Sequence, residues 1–255
     1  MNAQKQGAAS RCLSPNDAGP VIVHNSGASA PILLICDHAG RRIPERLGDL
    51  GLPPAELARH IAWDIGAAGL ARKLADALGA ELILQVYSRL VADCNRDPAD
   101  PSVAPEVSDG VLIPANQGLT PEALAARIAQ IHAPYHAAIG AALDRHGQAT
   151  LVVSVHSFTP VMQGFRRPWQ VGVLHSHDSA ASGRMLQALG AVAGLVVGDN
   201  QPYAMDGIDY TIPRHAKGRG LDYLELEIRQ DLIEAETGQE AMASLLAPLV
   251  GRAVG

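Results

Sequence analysis

Apolar runs of strand length alternate along this chain with longer segments patterned for helix, and that alternation restricts the fold more than any other feature. Pro31 to Cys36, Glu81 to Val86, Thr150 to Val155, Val171 to Leu174, Leu195 to Val197 and Tyr223 to Ile228 read as strands, with Leu90-Val91-Ala92 continuing the second. Leu57, Ile61, Ile65, Leu70, Leu74 and Leu78 recur at helical spacing, the stripe of an amphipathic helix over 54–78 that Gly79 ends. Further helices are expected over 121–143, capped by Thr120, over 182–189 and over 241–254. This order predicts an α/β fold in which a mixed, mostly parallel sheet is covered by helices on both faces. The irregular stretches 95–119 and 199–220 exceed ordinary connections and are candidate binding loops.

A chain of 255 residues with 47% hydrophobic content has the apolar material for one large domain. Residues 1–20, rich in Asn, Gln, Ser and Gly, read as a loosely held arm, and 21–255 as a single domain. A formal charge of −6 without a basic run gives no footprint for nucleic acid. Cys12, Cys36 and Cys94 lack CxxC spacing, which indicates neither a disulfide framework nor a cysteine zinc site. No stretch reaches the roughly 18 consecutive apolar residues of a membrane span, and the polar start lacks a signal-peptide core. The expectation is a cytoplasmic protein without a membrane partner; the sequence does not fix its oligomeric state.

His38 follows the first apolar run, in Asp37-His38-Ala39-Gly40, and strand ends are where an α/β sheet presents reactive side chains. Alone, it reads more readily as a cap on that strand. His156 closes Leu151 to Val155 in the same way, and two imidazoles from two strand ends can share one metal ion. A hydrolytic Zn²⁺ takes three protein ligands and leaves a position open, so a third is needed. Asp64 lies between the apolar Trp63 and Ile65, where an unpaired charge is costly without a cation; a salt bridge to a nearby arginine or a cap is the alternative. Glu45, after Pro44, is the other candidate ligand, but a first-turn helix acid explains it more simply, so Asp64 is favoured.

In Tyr223 to Arg229, alternation places Glu225, Glu227 and Arg229 on one face and the apolar residues on the other. A solvated edge strand has the same pattern. A metal hydrolase needs a carboxylate that takes a proton from water and returns it to the leaving amine, and Glu227 is the choice for that role. Asn95-Arg96 offers an amide and a planar cation at the start of a candidate binding loop, a pair suited to a substrate carboxylate.

These residues, with the segments CDHAGRRIP, HIAWDIGA, YSRLVADCNR, SDGVLIP, VHSFTP, RPWQVGVLH, GDNQPY, IPRHAKGRG and LEIRQDLI between about Pro31 and Ile233, resemble the N-formylglutamate amidohydrolases. That family is similar in turn to the zinc carboxypeptidases. VHSF resembles their second-histidine zinc motif, Asn95-Arg96 their substrate-carboxylate pair and LEIR the segment of their catalytic glutamate. Their first zinc motif has glutamate three residues after histidine, where this chain has Arg41, so Asp64 rests on the reading above.

The resemblance implies a three-layer α/β/α sandwich of the zinc-exopeptidase (phosphorylase/hydrolase) kind and hydrolysis of a small-molecule N-acyl amino acid. For the family's named substrate, N-formyl-L-glutamate, the products are formate and glutamate. With Asp64 taken from the residue reading, His38, Asp64 and His156 hold Zn²⁺ in that scheme, Glu227 is base and then acid, and Asn95 and Arg96 hold the α-carboxylate. Arg89 or Arg219 takes the side-chain carboxylate, and Tyr203, Tyr210 and His215 close over the substrate or donate to the oxyanion. A different N-acyl amino acid, a peptidoglycan-type amide, or a binding protein that keeps the metal without catalysis are the alternatives. A serine hydrolase is disfavoured, since no GxSxG elbow occurs.

Overall fold

The computed structural model describes residues 11–147, 150–205 and 207–254. Its strands are β1 (Val21–His24), β2 (Ile32–Cys36), β3 (Glu81–Gln85), β4 (Val107–Ser108), β5 (Val111–Leu112), β6 (Leu151–Phe158), β7 (Val161–Met162), β8 (Phe165–Arg166), β9 (Val171–Leu174), β10 (Val197–Asp199) and β11 (Tyr223–Arg229). Its α-helices are α1 (Pro54–Leu57), α2 (Ala67–Leu78), α3 (Pro121–Arg127), α4 (Ala133–His146), α5 (Ala180–Gly190), α6 (Thr211–His215) and α7 (Glu236–Ala253). Seven strands form one sheet in the order β1-β3-β2-β6-β11-β9-β10. The central four, β3, β2, β6 and β11, are parallel; β1 and β9 join them antiparallel, and β10 runs parallel to β9.

Alternation sorts each strand's side chains between two layers. Ile32, Leu34 and Cys36 of β2, Leu151, Val153 and Val155 of β6 and Leu224, Leu226 and Ile228 of β11 pack in one core with α2, α5 and α7. Leu33, Ile35, Val152 and Tyr223 pack on the other face with Tyr135 and Ile139 of α4 and Ile212 of α6. The result is the three-layer α/β/α sandwich that the resemblance implies. Leu70 and Leu74 of α2 are completely buried, so truncating either to alanine costs about 2–5 kcal/mol. On β11 the same alternation leaves Glu225 and Glu227 on the α4/α6 face, inside the molecule rather than on a solvated edge.

Several elements differ from the sequence pattern. The helix expected over 54–78 is two: α1 ends at Leu57, and a turn-rich segment leads to α2. Ile61 is buried in a satellite core with Leu50, Tyr87 and Leu90, so the apolar spacing runs on through residues that are not helical. Gly79 ends α2 with a left-handed φ of 60°, and the Thr120 hydroxyl accepts from Ala123 N–H, both as expected. The helix begun at Pro121 runs through a π-helical turn, Ile128–His132, into α4. Leu90 to Ala92 form buried turn rather than strand. α7 starts at Glu236, earlier than expected. Residues 1–10 of the expected arm lie outside the described residues, while 11–20 are tied down: Cys12 is buried, and Ala18 O accepts from the Tyr87 hydroxyl at 2.6 Å.

Candidate active site

The ends of β2 and β6 and the turn before α2 bring His38, Asp64 and His156 together. The turn depends on Gly66, whose φ of 80° is left-handed and where a Cβ would lie 2.1 Å from the Ile233 carbonyl oxygen. It is pinned to both strands: Asp64 N–H donates to His38 O at 3.0 Å, and the Ser157 hydroxyl donates to Ile65 O at 2.9 Å. Ser157 N–H also donates to Asp64 Oδ2 at 3.2 Å. Thus the strand that carries His156 also sets the carboxylate beside it.

Asp64 Oδ2 lies 2.9 Å from His156 Nδ1 and 3.5 Å from His38 Nδ1. The other ring nitrogens point outward to further partners. His38 Nε2 donates to Asp93 Oδ1 at 2.7 Å, and His156 Nε2 lies 2.9 Å from Ser154 Oγ and 3.3 Å from Asp37 Oδ2. With the protons held on Nε2, both Nδ1 lone pairs converge with Asp64 on one point, the way metal-ligating histidines are oriented. The three ligand atoms lie within 4.8 Å of one another, and His38 Nδ1 is buried without a hydrogen-bond partner. Two imidazoles and a carboxylate with an unsatisfied lone pair between them fit a divalent cation.

The electrostatics agree with that fit. Burial alone raises the pKa of Asp64, but the adjoining imidazoles outweigh it and hold the carboxyl far below its usual range. Burial likewise disfavours a charged His156, yet Asp37 and Asp64 push its pKa well up; His38 moves up too, against burial and Arg89, because of Asp93 and Asp64. Carboxylates thus surround the pair with negative charge that a cation completes. Glu227 stands beside His156 in the β11–β6 register, its Oε2 buried without a hydrogen-bond partner. Burial pushes its pKa up to about 7, with His156 pulling the other way.

These four residues line a cavity of about 390 Å³ together with Arg89, Asn95, Arg96, Tyr203, Asp209 and Glu225. Both candidate binding loops therefore reach it. Arg89 is held by Asp93, NH2 to Oδ2 at 2.7 Å, and lies 3.6 Å from Asp64. Arg96 donates to the Asn95 carbonyl at 2.8 Å and has no ion-pair partner among the described residues. The Asn95 side chain is largely spent on the loop opposite: its Oδ1 accepts from Tyr210 and Thr211 N–H, each at 2.9 Å, and its Nδ2 donates to Asp209.

Other expected site residues lie elsewhere. Glu45 is exposed and accepts from the Ser14 hydroxyl, far from the histidines. Tyr210, His215 and Arg219 do not line the cavity, because residues 211–215 coil into α6 and pack on α4. The Tyr210 hydroxyl accepts from Arg214 at 2.7 Å, and Arg219 pairs with Asp144 at 3.0 Å beside a separate cleft. His215 instead belongs to a second histidine group. Its Nε2–H donates to His136 Nδ1 at 2.9 Å, while His136 Nε2 donates to Cys94 O and His132 Nε2 to Arg96 O, both at 2.9 Å. These imidazoles bracket Asn95 from behind. Burial, then His132, pushes His136 down to about 3, and burial with Arg214 and Arg219 pushes His215 down to about 4.

Asp37 and Asp93 are the site residues that the sequence reading missed. Asp93 Oδ1 accepts from His38 and from Asn95 N–H, tying the histidine to the Asn95-Arg96 segment. Asp37 Oδ1 accepts from the Thr211 hydroxyl at 2.9 Å, while Oδ2 faces His156. The available signal was the need of a ligating histidine for a partner on its second nitrogen, in a sequence where Asp37 and Asp93 adjoin the motifs.

Fold and site define a three-layer α/β protein with a buried His-Asp-His group able to hold a metal ion. Residues 30–234 match the N-formylglutamate amidohydrolases, and the chain belongs to that family. A gene product of Agrobacterium tumefaciens of known structure is 39% identical, with a TM-score of 0.91 over 95% of this chain and 98% of that one. An N-formylglutamate amidohydrolase from Ralstonia eutropha shares the fold at 20% identity, with a TM-score of 0.68 over 92% of this chain and 97% of that one. No curated protein matches the sequence. No helix among the described residues is long and apolar enough to cross a membrane.

Proposed function

We propose that the protein is a zinc-dependent amidohydrolase that cleaves the N-formyl amide of N-formyl-L-glutamate to formate and glutamate. The observation that carries this is the convergence of His38 Nδ1, His156 Nδ1 and Asp64 Oδ2 beside an unpartnered Glu227, in a chain of an amidohydrolase family. Two nitrogens and one carboxylate oxygen suit zinc, which when bound supplies a Lewis acid that polarises the formyl carbonyl and acidifies water. Glu227 takes the proton of the attacking water and passes it to the leaving nitrogen; a carboxyl poised near neutral pH is well matched to both transfers. Arg96, free of carboxylate partners among the described residues, receives the α-carboxylate. Arg89, held by Asp93, is the second guanidinium on the cavity wall and takes the side-chain carboxylate. Tyr203, whose hydroxyl accepts from Arg167, closes the cavity opposite.

The test is formate release from N-formyl-L-glutamate by zinc-loaded protein. Glu227→Gln is expected to lower turnover about 10²–10⁴-fold while metal content stays unchanged. Absence of formate from folded, zinc-bearing wild type would remove the substrate assignment.

A further inference from the structure

Glu225 is a buried acid of the cavity that this chemistry leaves unused. It is only 2% exposed, lines the cavity and makes no side-chain hydrogen bond or ion pair with any described residue. On β11 it lies one same-face step, roughly 7 Å, from Glu227, and it pairs in register with Ser154 of β6 and Leu174 of β9. The opposite face of the strand holds Leu224, Leu226 and Ile228, so the sheet's own packing gives no reason for a carboxyl there. Lining the cavity without a partner among the described residues, the Glu225 carboxyl keeps acceptor capacity for a ligand. Asp209 is its strongest electrostatic neighbour and also lines the cavity. A carboxylate or carbonyl oxygen arriving between two acids would be repelled, whereas an N–H would be accepted. Arg96 supplies the opposite polarity in the same cavity.

Resting on the amide-hydrolysis reading, we propose that Glu225, backed by Asp209, receives the nitrogen side of the substrate: first the amide N–H, then the ammonium that replaces it. In the reaction the water oxygen bonds to the acyl carbon, the C–N bond breaks and its electron pair stays on nitrogen. That nitrogen keeps its hydrogen, takes the proton Glu227 removed from water, and gains its third hydrogen from the new carboxylic acid. Products leave as carboxylate and ammonium, so positive charge develops only on the nitrogen side, where two carboxyls are placed to meet it. The role does not depend on the protonation of Glu225 in the empty cavity, because the C=O of a neutral acid accepts an N–H as well.

The experiment compares calorimetric binding of L-glutamate and of glutarate, the same diacid without the amine, to zinc-loaded wild type, Glu225→Gln and Asp209→Asn, with formate release from N-formyl-L-glutamate measured alongside. Wild type is expected to bind glutamate about tenfold or more tighter than glutarate. Glu225→Gln should lose most of that preference while keeping its zinc and its affinity for glutarate, and Asp209→Asn should lose a smaller part. Formate release by a wild type without the preference, or a preference unchanged in Glu225→Gln, overturns the role of Glu225 alone. No formate and no binding of either diacid would bring down both this role and the amidohydrolase assignment.

Discussion

Two groups of buried histidines lie on the same side of the sheet and behave as opposites. His38 and His156 are flanked by Asp37, Asp64 and Asp93 and are driven toward the imidazolium form. His136 faces the Cys94 carbonyl and His215 faces His136, and both are held neutral. Burial is nearly identical in the two groups, so the neighbours decide the charge. The acid-flanked pair offers lone pairs to a cation once its protons leave. The neutral group spends its N–H bonds on the main chain of residues 94–96 and holds the guanidinium-bearing segment in place.

Substitution should separate the two groups most sharply in metal content. His156→Ala is expected to lose both bound zinc and all measurable hydrolysis, whereas His136→Ala keeps a full equivalent of zinc by atomic absorption. Loss of zinc in both would erase the distinction. A smaller effect is expected one bond further out: Asp93→Asn and Asp37→Asn should weaken zinc binding about 10–100-fold in competition with a chelator. Unchanged affinity would mean that these carboxylates do not orient the histidines.

The last contrast concerns pH, where the two groups carry opposite signs. Histidines with lowered folded pKa values stabilise the protein above the unfolded value near 6.5; as pH falls from there toward about 4, stability is lost by about 1.4 kcal/mol per unit for each. His38 and His156, with raised folded values, contribute stability below about 6.5 in the metal-free protein and lose it as pH rises through those values. Urea unfolding of metal-free His136→Gln between pH 7 and 5 should therefore show a shallower loss than wild type. Since zinc displaces protons from the acid-flanked pair, its affinity should rise with pH. An affinity independent of pH would contradict the protonated resting state.

The legible part of the site was the part carried by strand ends. His38, His156 and Glu227 each close or occupy an apolar run whose direction the pattern dictates, and Asp64 declared itself by its apolar neighbours. What the pattern could not show is who stands across from whom. The pattern places Tyr210, His215 and Arg219 in a candidate binding loop facing substrate, but residues 211–215 form a short helix whose buried side turns to α4. The break between α1 and α2 was hidden because Ile61 stays buried in the intervening turns, keeping the apolar stripe alive outside helical geometry. Glu225 shared the alternation of Glu227, and only burial in the sheet centre distinguishes both from an edge strand's solvated acids.

The sheet order has a consequence for how the protein comes into being. The side chains that meet at the site are drawn from residue 38 to residue 227, and the strands bearing them, β2, β6 and β11, are parallel neighbours joined only through long crossovers. Pairings so distant in sequence close late and slowly. A nascent chain released before β11 has paired would carry His38 and His156 without Glu227 beside them, so the assembled cavity reports the completed fold rather than any of its pieces.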